Sequence, residues 1–431
     1  MPGKLRKAFR VRLMPTEKQE EHFRQHVRCV RKVYNDALSG KIEKFQKCGG
    51  WLSKIEIQNL LPEYKRKHEF MYDVESTCLQ QSLVDLDRAF QNYFKSKSGQ
   101  REGRKMGFPG FKALHRARKS FRIVQAKKSV NGKTLLPHQY GYRIRVEGTT
   151  LRIPKIGFVE VANPVKRLAR FDSYRIVDVT IFQDSDGFWY ASVLCAVDEN
   201  QVKNHIVAAT KAVVGLDVGV KTTVTDSDGE KVDIPHKIFT LKKKIARIQK
   251  EMSKMRGPNR KKKIEPSQNW LDAKLKVGKL HCRIKRIRAD WQHKYSMELI
   301  KNNQVIVMET LDIQGMVKSG GVSKKDFNDK VLAAGWYQLK MIIKYKSEWY
   351  GRELIEVDQY FPSSQLCSVC GRQNQVKMLR KYICTGCNTT HDRDVNAAKN
   401  LMTVGQLHQV TGQVISTASQ YQYILGQKQA V

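Results

Sequence analysis

No apolar run in the sequence approaches the roughly 20 residues that a membrane-spanning helix needs, and the N-terminus, MPGKLRKAFRVRL, has no uninterrupted apolar stretch of the signal-peptide kind. Both absences point to a cytoplasmic protein with no membrane partner. Acids are also scarce: 41 Asp and Glu stand against 79 Lys and Arg among 431 residues, a formal net charge of +38. A folded chain with that much charge of one sign repels itself, so a polyanionic partner is expected, and nucleic acid fits better than a lipid surface. There is no GxxxxGK phosphate loop, which leaves nucleoside triphosphate hydrolysis without support. No motif marks a Ser or Cys nucleophile, and no internal repeat is visible. The cysteines number nine, an odd count that argues against a secreted disulfide framework. Five of them (Cys29, Cys48, Cys78, Cys195, Cys282) are scattered singly, as buried reduced thiols would be.

What is present suggests two to four packed units, since domains run to roughly 100–200 residues. Residues 4–14 alternate, with Phe9, Val11 and Leu13 on one face, which predicts a strand. Thr16 to Gln19 form a capping box, and Phe23, Val27, Val30, Tyr34 and Ala37 follow at helical spacing. Leu79, Leu83, Leu86, Phe90 and Tyr93 mark a second helix, so residues 16–97 read as a helical domain entered from a strand. From Phe121 to about Val197, short alternating runs separated by turn residues predict an antiparallel β domain, a small barrel. If the first strand joins it, the helices are an insertion.

From Lys211 onward the pattern is mixed α/β. AVVGLDVGV, QVIVMET and ELIEVDQY read as buried strands, with another strand near Thr222–Thr225 and helices near 240–256, 268–302 and 332–350. The tail from Gly405, rich in Gln, Ser and Thr, is expected to be mobile, with at most a short helical stretch. Two segments concentrate the charge: 101–128 holds ten Lys and Arg against Glu102, and 242–263 holds eleven against Glu251. Such runs are usually solvated faces. Two of them in different domains favour a surface that meets phosphates between units.

The strongest local signal is Cys367-x2-Cys370 with Cys384-x2-Cys387, with thirteen residues between the pairs. Each pair makes a knuckle, and two knuckles complete a tetrahedral Zn²⁺ site, with redox chemistry the alternative. Four thiolates would fill the coordination sphere, which makes the ion structural. With four cysteines available, His391 is needed neither as ligand nor as base. Chemistry requires carboxylates. Asp217 ends AVVGLD, Glu309 ends VIVME, and Asp394 lies in HDRDVNAA at a helix start. Acids at the ends of buried strands are costly unless paired or metal-bound. Brought together by a sheet, these three would hold two Mg²⁺ ions that activate water against a phosphodiester. Taken singly, each could instead cap a turn, a strand or a helix. Asp392 competes with Asp394 for the third position, and Asp394 is preferred because the helix after it fixes its direction.

GLDVGVKT, VIVMETL, YFPSSQLCSVCG with ICTGCNTTHDRDVNAA, and the earlier GFPGFK resemble the TnpB proteins of insertion-sequence transposons, relatives of the compact type V CRISPR effectors. The resemblance implies an α+β multidomain chain. A β-barrel (wedge) domain over 1–15 and 121–210 would enclose a helical recognition domain over 16–120. An RNase H-like (RuvC) nuclease would occupy 211–361 and 391–404, interrupted by a zinc ribbon at 362–390 and followed by a flexible tail at 405–431. It implies a prokaryotic, monomeric, nucleoid-associated RNA-guided DNA endonuclease. Its partners would be a guide RNA and a double-stranded DNA target read as an RNA–DNA heteroduplex, beside a short target-adjacent motif. Cleavage would fall to Asp217, Glu309 and Asp394 with Mg²⁺. Gln80 corresponds to a contact with the adjacent DNA motif. Arg104, Lys105, Lys112, Arg118, Lys119, Arg122, Lys242, Lys243, Lys244, Lys261 and Lys262 are the expected nucleic-acid contacts. The alternatives are an RNase H-like transposase acting on element ends and a miniature CRISPR-associated effector.

Overall fold

The computed structural model describes residues 5–101, 105–113, 117–125, 129–130, 133–134, 143–162, 175–197, 208–259, 264–310, 312, 315, 325–376, 380–414 and 417–422. It comprises two compact units, Met1–Asp198 and Glu199–Val431. Among the described residues, no helix is long and apolar enough to cross a membrane.

In the first unit, β1 (Leu5–Met14) is the predicted strand. After it come the helices α1 (Glu17–Cys48), α2 (Lys54–Lys67) and α3 (Ser76–Lys97), then β2 (Ser120–Val124), the hairpin of β3 (Ser129–Val130) and β4 (Lys133–Thr134), β5 (Arg145–Glu147), β6 (Thr150–Ile153), β7 (Gly157–Val161), β8 (Arg175–Gln183) and β9 (Trp189–Val197). All the strands except the hairpin form one sheet in the order β2-β8-β9-β1-β7-β6-β5, with antiparallel neighbours. The first strand therefore lies inside the sheet, and the helices are an insertion between β1 and β2. The two end strands also approach one another, because Gln125 after β2 exchanges hydrogen bonds with the backbone of Ile144 before β5, at 3.0 and 3.2 Å.

Thr16 and Gln19 make the reciprocal capping box at the start of α1, and Gly49 ends that helix in the left-handed region. Of the predicted apolar stripe, Phe23, Val27, Val30 and Tyr34 are buried and Ala37 half-buried: Phe23 packs against Phe121 and Trp189 of the sheet, and Tyr34, with the unpredicted Leu38, against Leu86 and Phe90 of α3. The GFPGFK segment folds back on the helices. Phe108 meets Phe90 and Tyr93, and the Lys112 backbone exchanges hydrogen bonds with the Asn35 side chain.

The second unit contains β10 (Lys211–Asp217), β11 (Val224–Asp226), β12 (Lys231–Val232), α4 (Lys237–Met252), α5 (Gln268–Asn302), β13 (Asn303–Glu309), α6 (Lys325–Ala334), α7 (Trp336–Tyr350), β14 (Glu353–Val357), β15 (Lys381–Ile383), β16 (Thr390–Asp392) and α8 (Arg393–Thr411). Its main sheet has the order β12-β11-β10-β13-β14. β10, β13 and β14 are parallel, while β11 and β12 are antiparallel. The parallel strands are apolar on both faces because both are covered. Val213, Val305, Val307 and Ile355 meet Leu401 and Val404 of α8, while Val214, Leu216, Ile306 and Met308 meet Leu299 of α5 and Leu339 of α7.

Three expectations are corrected. Of the five single cysteines read as buried thiols, Cys48 is exposed, since it closes α1 at the helix's solvent end. The single helix expected at 332–350 is two, broken at Gly335, whose φ of 62° an L side chain rarely adopts. The tail is not mobile from Gly405: α8 continues to Thr411, and Tyr421 is 0% exposed, against Phe361 in the core beneath the sheet. One aromatic in a polar stretch has found a pocket. Residues 423–431 lie outside the described residues.

Candidate active site and cysteine cluster

The order of the sheet brings the acids together. In the parallel pairing of β10 and β13, Leu216 lies opposite Met308, so the next residues, Asp217 and Glu309, leave adjacent strands at the same end. Both are partly buried. Burial, then the Asp394 and Asp392 charges, push the Asp217 carboxyl up to about 7, with Arg393 opposing. Burial and Asp217 push Glu309 up to about 7, against the Ser363 hydroxyl. Two acids so raised by desolvation and by neighbouring carboxylates, Asp394 on Asp217 and Asp217 on Glu309, form a site that a cation would relieve.

α8 supplies the remaining acids in distinct roles. Asp392 is its N-cap, accepting from the backbone N–H groups of Asp394 and Val395 at 3.1 and 3.2 Å, and it pairs with Lys231 at 2.7 Å. Burial works against its charge, but Lys231 and those N–H groups outweigh it and hold its carboxyl below the usual range. Asp394 is 7% exposed in the first helical turn, beside Arg393 at 3.3 Å and Arg380 at 3.5 Å.

The helix reaches this position because glycine lets it. A methyl group built on Gly215 would overlap the Ala398 carbonyl and the Met402 backbone nitrogen, and one on Gly405 would come within 2.7 Å of Val213. Gly215→Ala is therefore expected to force α8 away from β10 and to cost roughly 3 kcal/mol or more in thermal unfolding, since backbone cannot yield as a flexible side chain can. An unchanged melting temperature would sink this account of the packing.

The cysteine knuckles converge. The four Sγ atoms of Cys367, Cys370, Cys384 and Cys387 lie within 4.8 Å of one another, and among the described residues they are the only such group of three or more His, Cys, Asp or Glu. The separations Cys367–Cys387 and Cys370–Cys384 are both 3.6 Å. A tetrahedron with Zn–S bonds of 2.3 Å has edges of about 3.8 Å, so the donors and spacing fit Zn²⁺. Burial opposes ionisation of Cys384, but backbone N–H groups of Gly386 and Cys387 and the Asn374 amide outweigh it and lower the thiol to about 6. His391 lies outside the cluster, with Nε2 at 3.1 Å from the Cys367 sulfur.

The basic residues divide. Gln80, Lys105, Arg118, Lys119, Lys243 and Lys244 are exposed. Lys112 lies over the Tyr34 ring at 3.7 Å, Arg122 donates to Gln81 and Asp85, and Lys242 donates to the Asp329 carbonyl at 2.7 Å. Those three are engaged inside the protein. Arg104, Lys261 and Lys262 fall outside the described residues. Sequence reasoning also passed over Ser363, Asn396 and Asn400, which are 5%, 1% and 0% exposed. Their only signal was polarity in the midst of apolar helix and knuckle residues.

Three family descriptions match the chain: "Helix-turn-helix domain" over residues 1–50, "Probable transposase" of the IS605 OrfB type over 192–320, and "Cas12f1-like, TNB domain" over 336–401. A Streptomyces pristinaespiralis protein named as a candidate RNA-guided DNA endonuclease is 31% identical over 412 residues, covering 94% of this chain and 90% of that one. The Escherichia coli K12 protein InsQ, similarly named, is 29% identical over 424 residues, with 95% of each covered. A protein chain of the solved Cas12f1–sgRNA–target DNA complex has a TM-score of 0.55 at 17% identity, covering 90% of this chain and 83% of that one. The fold is thus that of a compact type V effector, α+β with an antiparallel sheet in the first unit and a mixed sheet in the second. The chain belongs to the TnpB family of IS605 OrfB proteins.

Proposed function

We propose that this protein is an RNA-guided DNA endonuclease whose hydrolytic site is Asp217, Glu309 and Asp394. The observation that carries the reading is the placement of Asp217 and Glu309 side by side at the ends of parallel strands, both raised by burial, Asp217 further by Asp394 and Glu309 further by Asp217. Numbered from β10, the sheet runs third, second, first, fourth, fifth strand, which supports an RNase H-like (RuvC) nuclease. Asp394 is the better third acid, because Asp392 is spent on the helix cap and Lys231 whereas Asp394 bears more strongly on Asp217. The three carboxylates would hold Mg²⁺, two ions in this reading, which would activate a water and stabilise the leaving oxygen of a phosphodiester. The chain's own share is to fix the acids on rigid strand ends and a helix start, and to keep Arg393 and Arg380 beside them.

The first unit supplies the wedge-like barrel, a reading supported by the Gln125–Ile144 link between its end strands, and the recognition helices. Guide RNA and target DNA would lie along the exposed basic residues, with Gln80 at the adjacent motif. The cysteine cluster would hold one structural Zn²⁺. The reading is tested by sequencing the RNA that co-purifies, recoding its guide portion, and offering matched DNA targets with Mg²⁺. Cutting should follow the recoded sequence. Protein freed of RNA that joined donor ends to a target would make it a transposase instead.

A further inference from the structure

The acid site and the cysteine cluster are joined by a short strap, Ser363–Ser368, in which Ser363, Leu366 and Cys367 are buried. Four polar contacts fix it to α8. Asn400 Nδ2 donates to the carbonyls of Ser363 and Leu366, both at 2.7 Å, and Asn396 Nδ2 donates to the same Leu366 carbonyl at 2.6 Å. Asn396 Oδ1 accepts from the Ser368 N–H at 2.9 Å. The two asparagines are four residues apart and so share one helix face. Tyr421 closes the arrangement from the C-terminal side, its hydroxyl donating to Asn400 Oδ1 at 2.7 Å. Asn400 thus has its amide and its carbonyl committed, fully buried, which makes it rigid.

The strap carries Cys367 of the cysteine cluster near one end. At the other it carries Ser363, whose hydroxyl points to Glu309 Oε2 at 3.5 Å. That distance is at the long limit for a hydroxyl bond. α8 therefore bears both Asp394 and the amide that sets the partner of Glu309. Metal-binding carboxylates depend on such hydrogen-bond donors to choose which oxygen lone pair faces the ion.

We propose that Ser363 is a positioning residue for Glu309, held in place by Asn400, so that α8 and the knuckle strap jointly orient the acids for a divalent cation. This rests on the assignment of Glu309 to the metal site. The test uses the full protein with its co-purified RNA and the variants Ser363→Ala, Asn400→Ala and the double variant. Mn²⁺ binding is followed by electron paramagnetic resonance as the ions bound in excess of a Glu309→Ala complex, alongside the Mg²⁺ concentration for half-maximal cutting. Ser363→Ala should weaken both about 10-fold while zinc content and RNA binding stay unchanged. Asn400→Ala should do the same, and the double variant should add nothing, because both act through one contact. If Asn400→Ala loses its zinc or fails to fold, Ser363→Ala decides alone. Mn²⁺ affinity within two-fold of the parent in Ser363→Ala would overturn the proposal. A parent protein that binds Mn²⁺ but cuts nothing would instead overturn the nuclease reading and leave this one to the Mn²⁺ titration.

Discussion

Asp217→Ala is expected to leave guide RNA binding within about two-fold of the parent and to lower DNA cutting by at least ~10³-fold, about 4 kcal/mol in the barrier. Asp217 is the centre of the charge cluster: it raises Glu309, and Asp394 raises it. Without it, two acids would remain to hold what three are arranged to hold. The isosteric Asp217→Asn should also stop cutting while raising the melting temperature of the metal-free protein by a few degrees, because it removes a repelling charge without opening a cavity. A residue with a merely structural role would lose both properties together. Cutting that persists in Asp217→Ala would place the site elsewhere.

The same charges set a pH dependence. Folded-state values of about 7 for Asp217 and Glu309 lie above the ordinary carboxylate range near 4, so between these limits the folded chain binds more protons than the unfolded one. Stability of the metal-free protein should fall as pH rises from about 4 to 7. Protons and Mg²⁺ compete for the same oxygens, so the Mg²⁺ needed for half-maximal cutting should fall over that window and level off above it. A midpoint independent of pH from 5.5 to 7.5 would contradict this.

Much of this arrangement was visible before the fold. AVVGLD and VIVME are buried on both faces and so read as apolar runs, each of which can end in an acid only at a site that tolerates one. The cysteine spacing and the capping box at Thr16 are local geometry, which sequence carries directly. Other features depend on what lies across from a residue. Lys112, Arg122 and Lys242 belong to basic stretches, but Tyr34, Asp85 and Asp329 came from distant segments to engage them. Gly215 drew no notice within the AVVGLD strand, yet it is where helix backbone touches sheet backbone. Asn396 and Asn400 interrupted an apolar face, and their purpose appears only when the Leu366 carbonyl they share is placed beside them. Tyr421 stood in a stretch whose composition argued for mobility, and composition cannot register one aromatic with a pocket to fill.

Cys384→Ser is expected to take zinc content from about one ion per chain to near none and to abolish cutting, although Cys384 is no part of the acid site. Its sulfur is fully buried, approached by the Gly386 N–H at 3.3 Å and the Asn374 amide at 3.6 Å, so the knuckle is built to present a thiolate. A hydroxyl there is a poor zinc ligand, and a structural zinc site contributes on the order of 10 kcal/mol to the fold around it. The loss should spread by a definite route. Cys367 belongs to the strap whose carbonyls Asn396 and Asn400 hold, and Gln422 donates to the Gly371 carbonyl at 3.1 Å, so loosening the knuckles frees both sides of α8. Hydrogen exchange should therefore rise first at residues 363–376 and 381–392 and then at the start of α8, with the first unit unaffected. Metal analysis showing an unchanged zinc stoichiometry in Cys384→Ser would refute the four-cysteine site, whereas zinc loss with cutting intact would show that the knuckles do not support the nuclease.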